Sequence, residues 1–336
     1  MPTKISLSLA VLFSLSVATV FAISGARRIA AAPAKERFSP AQLVDALHAA
    51  FGKHHARAVH TKGVILEGTF TPDPAAAALT KAAHLQRTPS KVVVRFSDFT
   101  GLPDIPDNAP PANPRGLAVR FTLPDGQSTD LVGHSFDGFP TQTADQFREL
   151  LLAIAASGPG AAAPTALDRF LEAHPVARRF LTTQKTPASF ATIAYFGVNA
   201  FRFTARDGSA RYIRYQLEPI GGEQLLTGEQ AAAQGARYLQ DEVAARVAKA
   251  SFAFRMYAQV ADPGDAIDDP SIAWPAQRTR VPLGVLTVAR LADNTAKADQ
   301  ALAFSPRNLL PGIETADPML DFRARAYPIS VEERRR

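Results

Sequence analysis

The feature that most constrains the fold is a series of short β-branched and aromatic runs separated by turn residues rather than by regular helices. Runs over 64–70, 92–96, 116–123, 130–132, 187–204, 210–217, 251–261 and 285–291 read as strands. Pro124-Asp125-Gly126 and Arg206-Asp207-Gly208 supply turn chemistry between neighbours. Strands joined this tightly pair antiparallel, because a parallel pair needs a long crossover. Apolar residues at helical spacing predict helices over 39–51, after a Ser39-Pro40 start, and over 143–156 and 228–250. The expected class is therefore α+β: an antiparallel sheet or barrel of roughly eight strands with helices packed outside. No internal repeat of fixed period is present.

With 336 residues, 46% of them hydrophobic and 20% charged, the chain can bury a large core. It has no cysteine, which excludes disulfides, thiolate ligands and a cysteine nucleophile. The formal charge of +6 is modest, and the longest basic run is Arg334 to Arg336, so nothing supports a nucleic-acid partner. Residues 1–26 hold a basic start, the apolar run from Ile5 to Ile23 and small residues, the pattern of a secretory signal. The 19-residue run also approaches the length of a membrane anchor. An exported, periplasmic protein is expected, either cleaved or anchored, with 27–38 as a linker and 39–336 as the folded domain.

Among seven histidines, His54, His55 and His60 lie close in sequence, but adjacent histidines point apart and no acidic partner sits at ligand spacing. The common hydrolase and nucleotide-binding motifs are absent. Two features remain. His60 stands at the entry to a strand, with Arg57 before it and Arg95 in the next strand, a setting suited to proton transfer beside an anionic group. Near the end, Arg323 and Tyr327 are an i, i+4 pair that shares one helix face. A guanidinium beside a phenol favours the phenolate, a hard anionic oxygen ligand.

Taken in order, the segments R-A-V-H-T-K-G (57–63), V-R-F-S (94–97), N-P-R-G-L-A-V-R-F (113–121), D-L-V-G (130–133), F-S-P-R-N-L-L-P-G-I (304–313) and D-P-M-L-D-F-R-A-R-A-Y-P (317–328) resemble the haem catalases. The match spans about 270 residues, and Trp274-Pro275 and Leu283-Gly284 fall where that family has similar pairs. The resemblance implies an eight-stranded antiparallel barrel holding haem, with haem b expected. It implies that His60 is the distal histidine, which moves a proton between the two peroxide oxygens. Ser97 resembles the serine that orients it, and Val59 the valine that narrows the approach to iron. Tyr327 looks like the iron ligand, Arg323 the residue that keeps it ionised, and Asp317 the acid behind that arginine. Arg57 and Arg95 resemble the arginines that pair with the propionates, and Phe147 a phenylalanine at the distal haem edge.

Three departures qualify the resemblance. Family catalases have Asn-Asn after D-L-V-G, the second helping to place the peroxide; here His134-Ser135 stand there, which makes Ser135 the expected substitute. Asn199 stands where the family has a histidine in its proximal arginine network. The chain also ends soon after the tyrosine, as in the small catalase-related peroxidases, which lack the C-terminal helical domain. The expectation is a peroxidase that takes peroxide and a small organic electron donor, with weak catalase activity. A haem-dependent fatty-acid hydroperoxide isomerase or lyase and a non-enzymatic haem carrier are the alternatives.

Overall fold

The computed structural model describes residues 37–335. The expected leader or anchor over 1–26, and the linker as far as residue 36, lie outside the described residues. Among the described residues no helix is long and apolar enough to cross a membrane.

Eight long strands form the framework: β1 (Gly63–Pro72), β2 (Ser90–Ser97), β3 (Gly116–Thr122), β4 (Ser128–His134), β5 (Tyr195–Thr204), β6 (Ala210–Pro219), β7 (Phe252–Val260) and β8 (Arg280–Leu291). Each pairs antiparallel with its sequence neighbour. β8 returns to β1, and the single pair His134↔Phe196 joins β4 to β5, so the sheet closes into a barrel. A short β9 (Ile313–Thr315) adds to the outer side of β5. The seam between β4 and β5 is narrow, and farther along β4 Asp130 N donates to Asn308 O instead.

Alternation then divides the side chains between two cores. Val92, Val94, Phe96, Leu117, Val119, Phe121, Leu131, Phe203, Leu217, Phe254 and Leu286 join in one buried cluster that fills the barrel. Residues of the opposite parity on β2 to β4, namely Arg95, Ser97, Gly116, Ala118, Val132 and His134, face outward. A second cluster covers that outer face. It is built by α1 (Pro40–Phe51), α2 (Ala144–Ala155) and α8 (Pro318–Arg335) through Leu43, Val44, Leu47, Phe147, Leu151, Met319, Phe322 and Ala326.

Local sequence explains these helices. Ser39 accepts from Gln42 N, and Gln42 answers with its side chain, a capping box ahead of Pro40. Thr143 caps α2 in the same position. The stretch expected to be one helix over 228–250 is two, α5 (Gly228–Ala232) and α6 (Tyr238–Lys249), with Gly235 in the break. The strand expected over 187–204 starts only at Tyr195; Phe190–Thr192 before it is a 3₁₀ turn capped by Ser189. Three helices were not expected: α3 (Ala166–Ala173), α4 (Pro175–Thr182) and α7 (Thr295–Ala301). Their amphipathic signal is carried by too few turns to read from spacing.

Candidate active site

His60 lies in the connection from α1 to β1 with φ 55°, the left-handed region that a residue with a Cβ rarely adopts. Such strain persists where the surroundings impose it. Here His60 N donates to Phe99 O at 2.9 Å and Thr61 N to Thr100 O at 3.0 Å, pinning the segment to the chain after β2. The imidazole Nδ1 is 3.2 Å from Ser97 Oγ, and the ring meets Phe99 edge to face with centroids 5.4 Å apart. Beneath it lies Gly116, where a Cβ would come within 2.4 Å of Ser97 Oγ and 2.5 Å of His60 Nδ1. The glycine is required because the imidazole occupies the place of its missing side chain. Burial pushes the His60 imidazole down to about 3, helped by the neighbouring His134, Arg95 and Arg323, so the ring is neutral.

Across the same cavity, α8 presents a stripe of Arg323, Ala326, Tyr327, Ser330, Val331 and Arg334. Residues three, four and seven apart share a helix face, which puts them all on one wall. Arg323 Nη2 donates to Tyr327 Oη at 3.1 Å. Its Nη1 donates to Asn199 Oδ1 at 3.3 Å, and Asn199 Nδ2 donates to Asp317 Oδ2 at 2.6 Å. Asp317 also caps the start of α8, accepting from Met319 N at 2.9 Å. Burial raises its carboxyl to about 6 despite these bonds. Pro328 follows Tyr327 inside the helix and removes one backbone donor, so the helix is locally weakened where the tyrosine sits.

One end of the cavity is basic. Arg57, Arg95 and Arg334 line it together, and Asp299 of α7 accepts from the first two, with Arg57 Nη2 at 3.0 Å and Arg95 Nε at 2.5 Å. Burial lowers Arg57 to about 9, and the positive charges of Arg95 and Arg334 add to the effect. Burial also acts to raise Asp299, but Arg95 and Arg57 outweigh it and hold its carboxyl below the ordinary range. The cavity between these walls is open to solvent at its mouth, and Leu43, Val44, Leu47, Val59, Phe139 and Phe147 make its sides apolar. Ligand sites commonly have this mixture of apolar walls and a few convergent polar groups.

Of the residues expected from sequence, His60, Ser97, Arg57, Val59, Arg95, Phe147, Arg323 and Tyr327 all line this cavity. Asp317 does not line it and connects to Arg323 through Asn199. Ser135 is not brought into it, which corrects the expectation that it would help place peroxide. Its Oγ accepts from Arg115 N at 2.8 Å and its N donates to Arg115 O at 2.8 Å. The residue before it, His134, lines the cavity instead, as the alternation of β4 requires. Arg334 and Asp299 were also missed. Arg334 is seven residues beyond Tyr327, a helical spacing that could have found it; Asp299 carries no local signal.

The family model for Catalase matches residues 41–335. The catalase-related peroxidase of Mycolicibacterium paratuberculosis is 36% identical over 302 residues, covering 88% of this chain and 95% of that protein. That of Synechococcus elongatus is 31% identical over 304 residues, covering 89% of each. Among solved structures, a fungal catalase superposes with a TM-score of 0.74 at 22% identity, and a bacterial catalase with 0.73 at 22%. The chain spans 83% of its own length in these superpositions but only 59% and 57% of theirs. A barrel of this topology, a family model matched along almost every described residue and relatives above 30% identity lead to one conclusion: the chain belongs to the catalase family.

Proposed function

We propose that this protein is a haem-dependent peroxidase that reduces hydrogen peroxide or an organic hydroperoxide with an organic electron donor and has weak catalase activity. The observation that carries the reading is the facing pair of walls: Tyr327 held by Arg323 on one side, and His60 held by Ser97 on the other. The two relatives, both catalase-related peroxidases, support the choice of reaction.

The residues present fit a haem, and haem b is the form we propose. Among the described residues no group of three His, Cys, Asp or Glu side chains could hold a bare metal ion. Tyr327, with Arg323 donating to its oxygen, would be the protein ligand that holds the haem iron. Apolar walls suit the flat ring. Arg57, Arg95 and Arg334, opposed by one carboxylate, suit two propionates. When bound, haem would supply the redox-active iron at which the O–O bond is broken.

The chain's own part is positioning and proton handling. Arg323 fixes the direction of the Tyr327 side chain by donating to its oxygen. In the tautomer whose Nδ1–H donates to Ser97 Oγ, His60 Nε2 holds the lone pair that accepts a proton from one peroxide oxygen and returns it to the other. Because the buried ring is neutral, it is able to accept that proton. Residues 1–26 support export of the enzyme, and fusing residues 1–36 to an export-dependent reporter tests that; an inactive reporter removes it.

The decisive experiment is to load the purified protein with haem and compare oxidation of an aromatic donor with oxygen release from peroxide. Donor oxidation dominating oxygen release supports the proposal. Catalase-like dismutation without donor oxidation would overturn it. Tyr327→Phe should abolish the tyrosinate-to-iron spectrum.

A further inference from the structure

We propose that His134 is a second distal group, whose Nε2–H donates a hydrogen bond to the peroxide held beside His60. The inference rests on the haem reading above and goes beyond it by assigning a role to an imidazole that this chain carries at the end of β4.

Strand register fixes the geometry. Ser97 pairs with Gly116 across β2 and β3, and Gly116 pairs with His134 across β3 and β4. Residues in one such row project from the same face of a sheet, with neighbouring strands about 4.8 Å apart. Ser97 and His134 therefore flank Gly116 on the cavity side. The middle residue has no side chain, and the His60 imidazole lies in the gap, close to where that Cβ would stand. His60 is thus bracketed along one row, with the serine hydroxyl on one side and the second imidazole on the other. His134 is also the residue at which the barrel closes onto β5, through its pairing with Phe196, so its backbone is held by two strands.

The hydrogen bonding of His134 assigns its proton. Phe136 N donates to His134 Nδ1 at 3.3 Å, so Nδ1 is the acceptor and the hydrogen of the neutral ring is on Nε2. That Nε2 is buried and has no hydrogen-bond partner. Buried polar atoms are satisfied in the great majority of cases, and an exception calls for a physical reason. The side chain is 6% exposed and lines the same cavity as His60, Arg323 and Tyr327. Its surroundings preserve the neutral form: burial holds the ring down near 3, and the Arg323 charge reaches it as it reaches His60. Phe139 and Phe180 pack on the ring, with centroids at 6.3 and 5.9 Å, so it has little freedom to turn the donor away.

The two imidazoles therefore divide the work. His60, with Nδ1 engaged by Ser97, handles the proton. His134, locked as an Nε2–H donor, places the peroxide. An imidazole donor is bulkier than an amide and narrows the space for a second peroxide, which suits an enzyme that takes its electrons from another donor.

Fluoride binding to the ferric haem-loaded protein tests this apart from turnover, because fluoride is small, anionic and sensitive to nearby donors. In His134→Phe, which keeps the aromatic volume, fluoride affinity should fall about 10- to 100-fold, the range for losing a hydrogen bond to a charged acceptor. Haem content and the tyrosinate spectrum should stay unchanged. His134→Gln, which restores a donor, should recover most of the loss. If His134→Phe does not fold, His134→Leu carries the same expectation. Unchanged fluoride affinity in a haem-loaded variant without the donor overturns the inference and leaves the haem reading standing. Failure of the wild-type protein to take up haem overturns the haem reading itself.

Discussion

Asn199 Nδ2 and Asp317 Oδ2 are 2.6 Å apart, which makes a neutral amide the link between the acid at the start of α8 and the arginine that holds Tyr327. The amide donates to the carboxylate and accepts from the guanidinium, so one side chain serves both partners. Asn199→Ala should leave the buried Asp317 oxygen without this partner and cost about 1–3 kcal/mol of stability. It should also loosen Arg323 and broaden the ferric tyrosinate bands. Denaturant unfolding and the haem spectrum report the two effects; a variant unchanged in both would show that the link is idle.

Gly116→Ala is expected to be severe for function and mild for folding. The added Cβ would overlap Ser97 Oγ and His60 Nδ1, so the imidazole must move from its bond with the serine. Peroxide reactivity should fall about 100-fold or more, the scale of losing a positioned proton-transfer group. Haem binding should persist, since Tyr327 and the arginines are untouched. Stopped-flow measurement of the reaction with peroxide checks this, and a wild-type rate constant would refute the close-packing account.

Asp299→Asn removes the one carboxylate shared by Arg57 and Arg95. Leaving those guanidiniums unopposed should lower the stability of the ligand-free protein by about 2–3 kcal/mol, because one side of a partly buried pair is lost. The same change should tighten binding of a dianionic porphyrin, since the internal competitor for the arginines has gone. Titration with protoporphyrin IX at two salt concentrations tests it. Weaker porphyrin binding would mean that Asp299 orders the site and does not compete for it.

Acid stability follows from His84, which is buried beneath the barrel wall against Phe121, away from the candidate site. Burial lowers its imidazole from 6.5 to about 3. The folded state therefore excludes a proton that the unfolded state binds between these values, and stability is lost as pH falls below about 6.5. Asp317, raised from 3.8 to about 6 by burial, acts in the opposite sense: its contribution is present below about 4 and lost as pH rises through 6. Replacing His84 by Phe should reduce proton uptake on unfolding at pH 5 by about one. Urea unfolding across pH 4–7 measures that slope, and an unaltered slope would show that His84 is protonated in the fold.

Much of the architecture was determined by the sequence alone, because its signals are local. Runs such as 92–96 and 210–217 state their strands by composition, and Ser39 with Gln42 or Thr143 with Gln146 state the helix starts by capping chemistry. Arg323 and Tyr327 declared their contact through one helical turn. The order of six motifs located His60, Ser97, Arg57 and Arg95, whose chemistry the site then joined. Short helices such as α7 escaped notice because a few turns carry little periodicity.

Only the tertiary structure decided which side of each strand meets the cavity, and in β4 that choice turned on one residue. A strand reverses its facing at every step, so motif position alone could not separate His134 from Ser135; barrel closure and the row through Ser97 and Gly116 did. Asp299 meeting two arginines more than 200 residues earlier, and Asn199 bridging to α8, are likewise products of closure. Sequence fixes what a local stretch prefers, whereas the partners of a buried charge are fixed only when distant elements pack together.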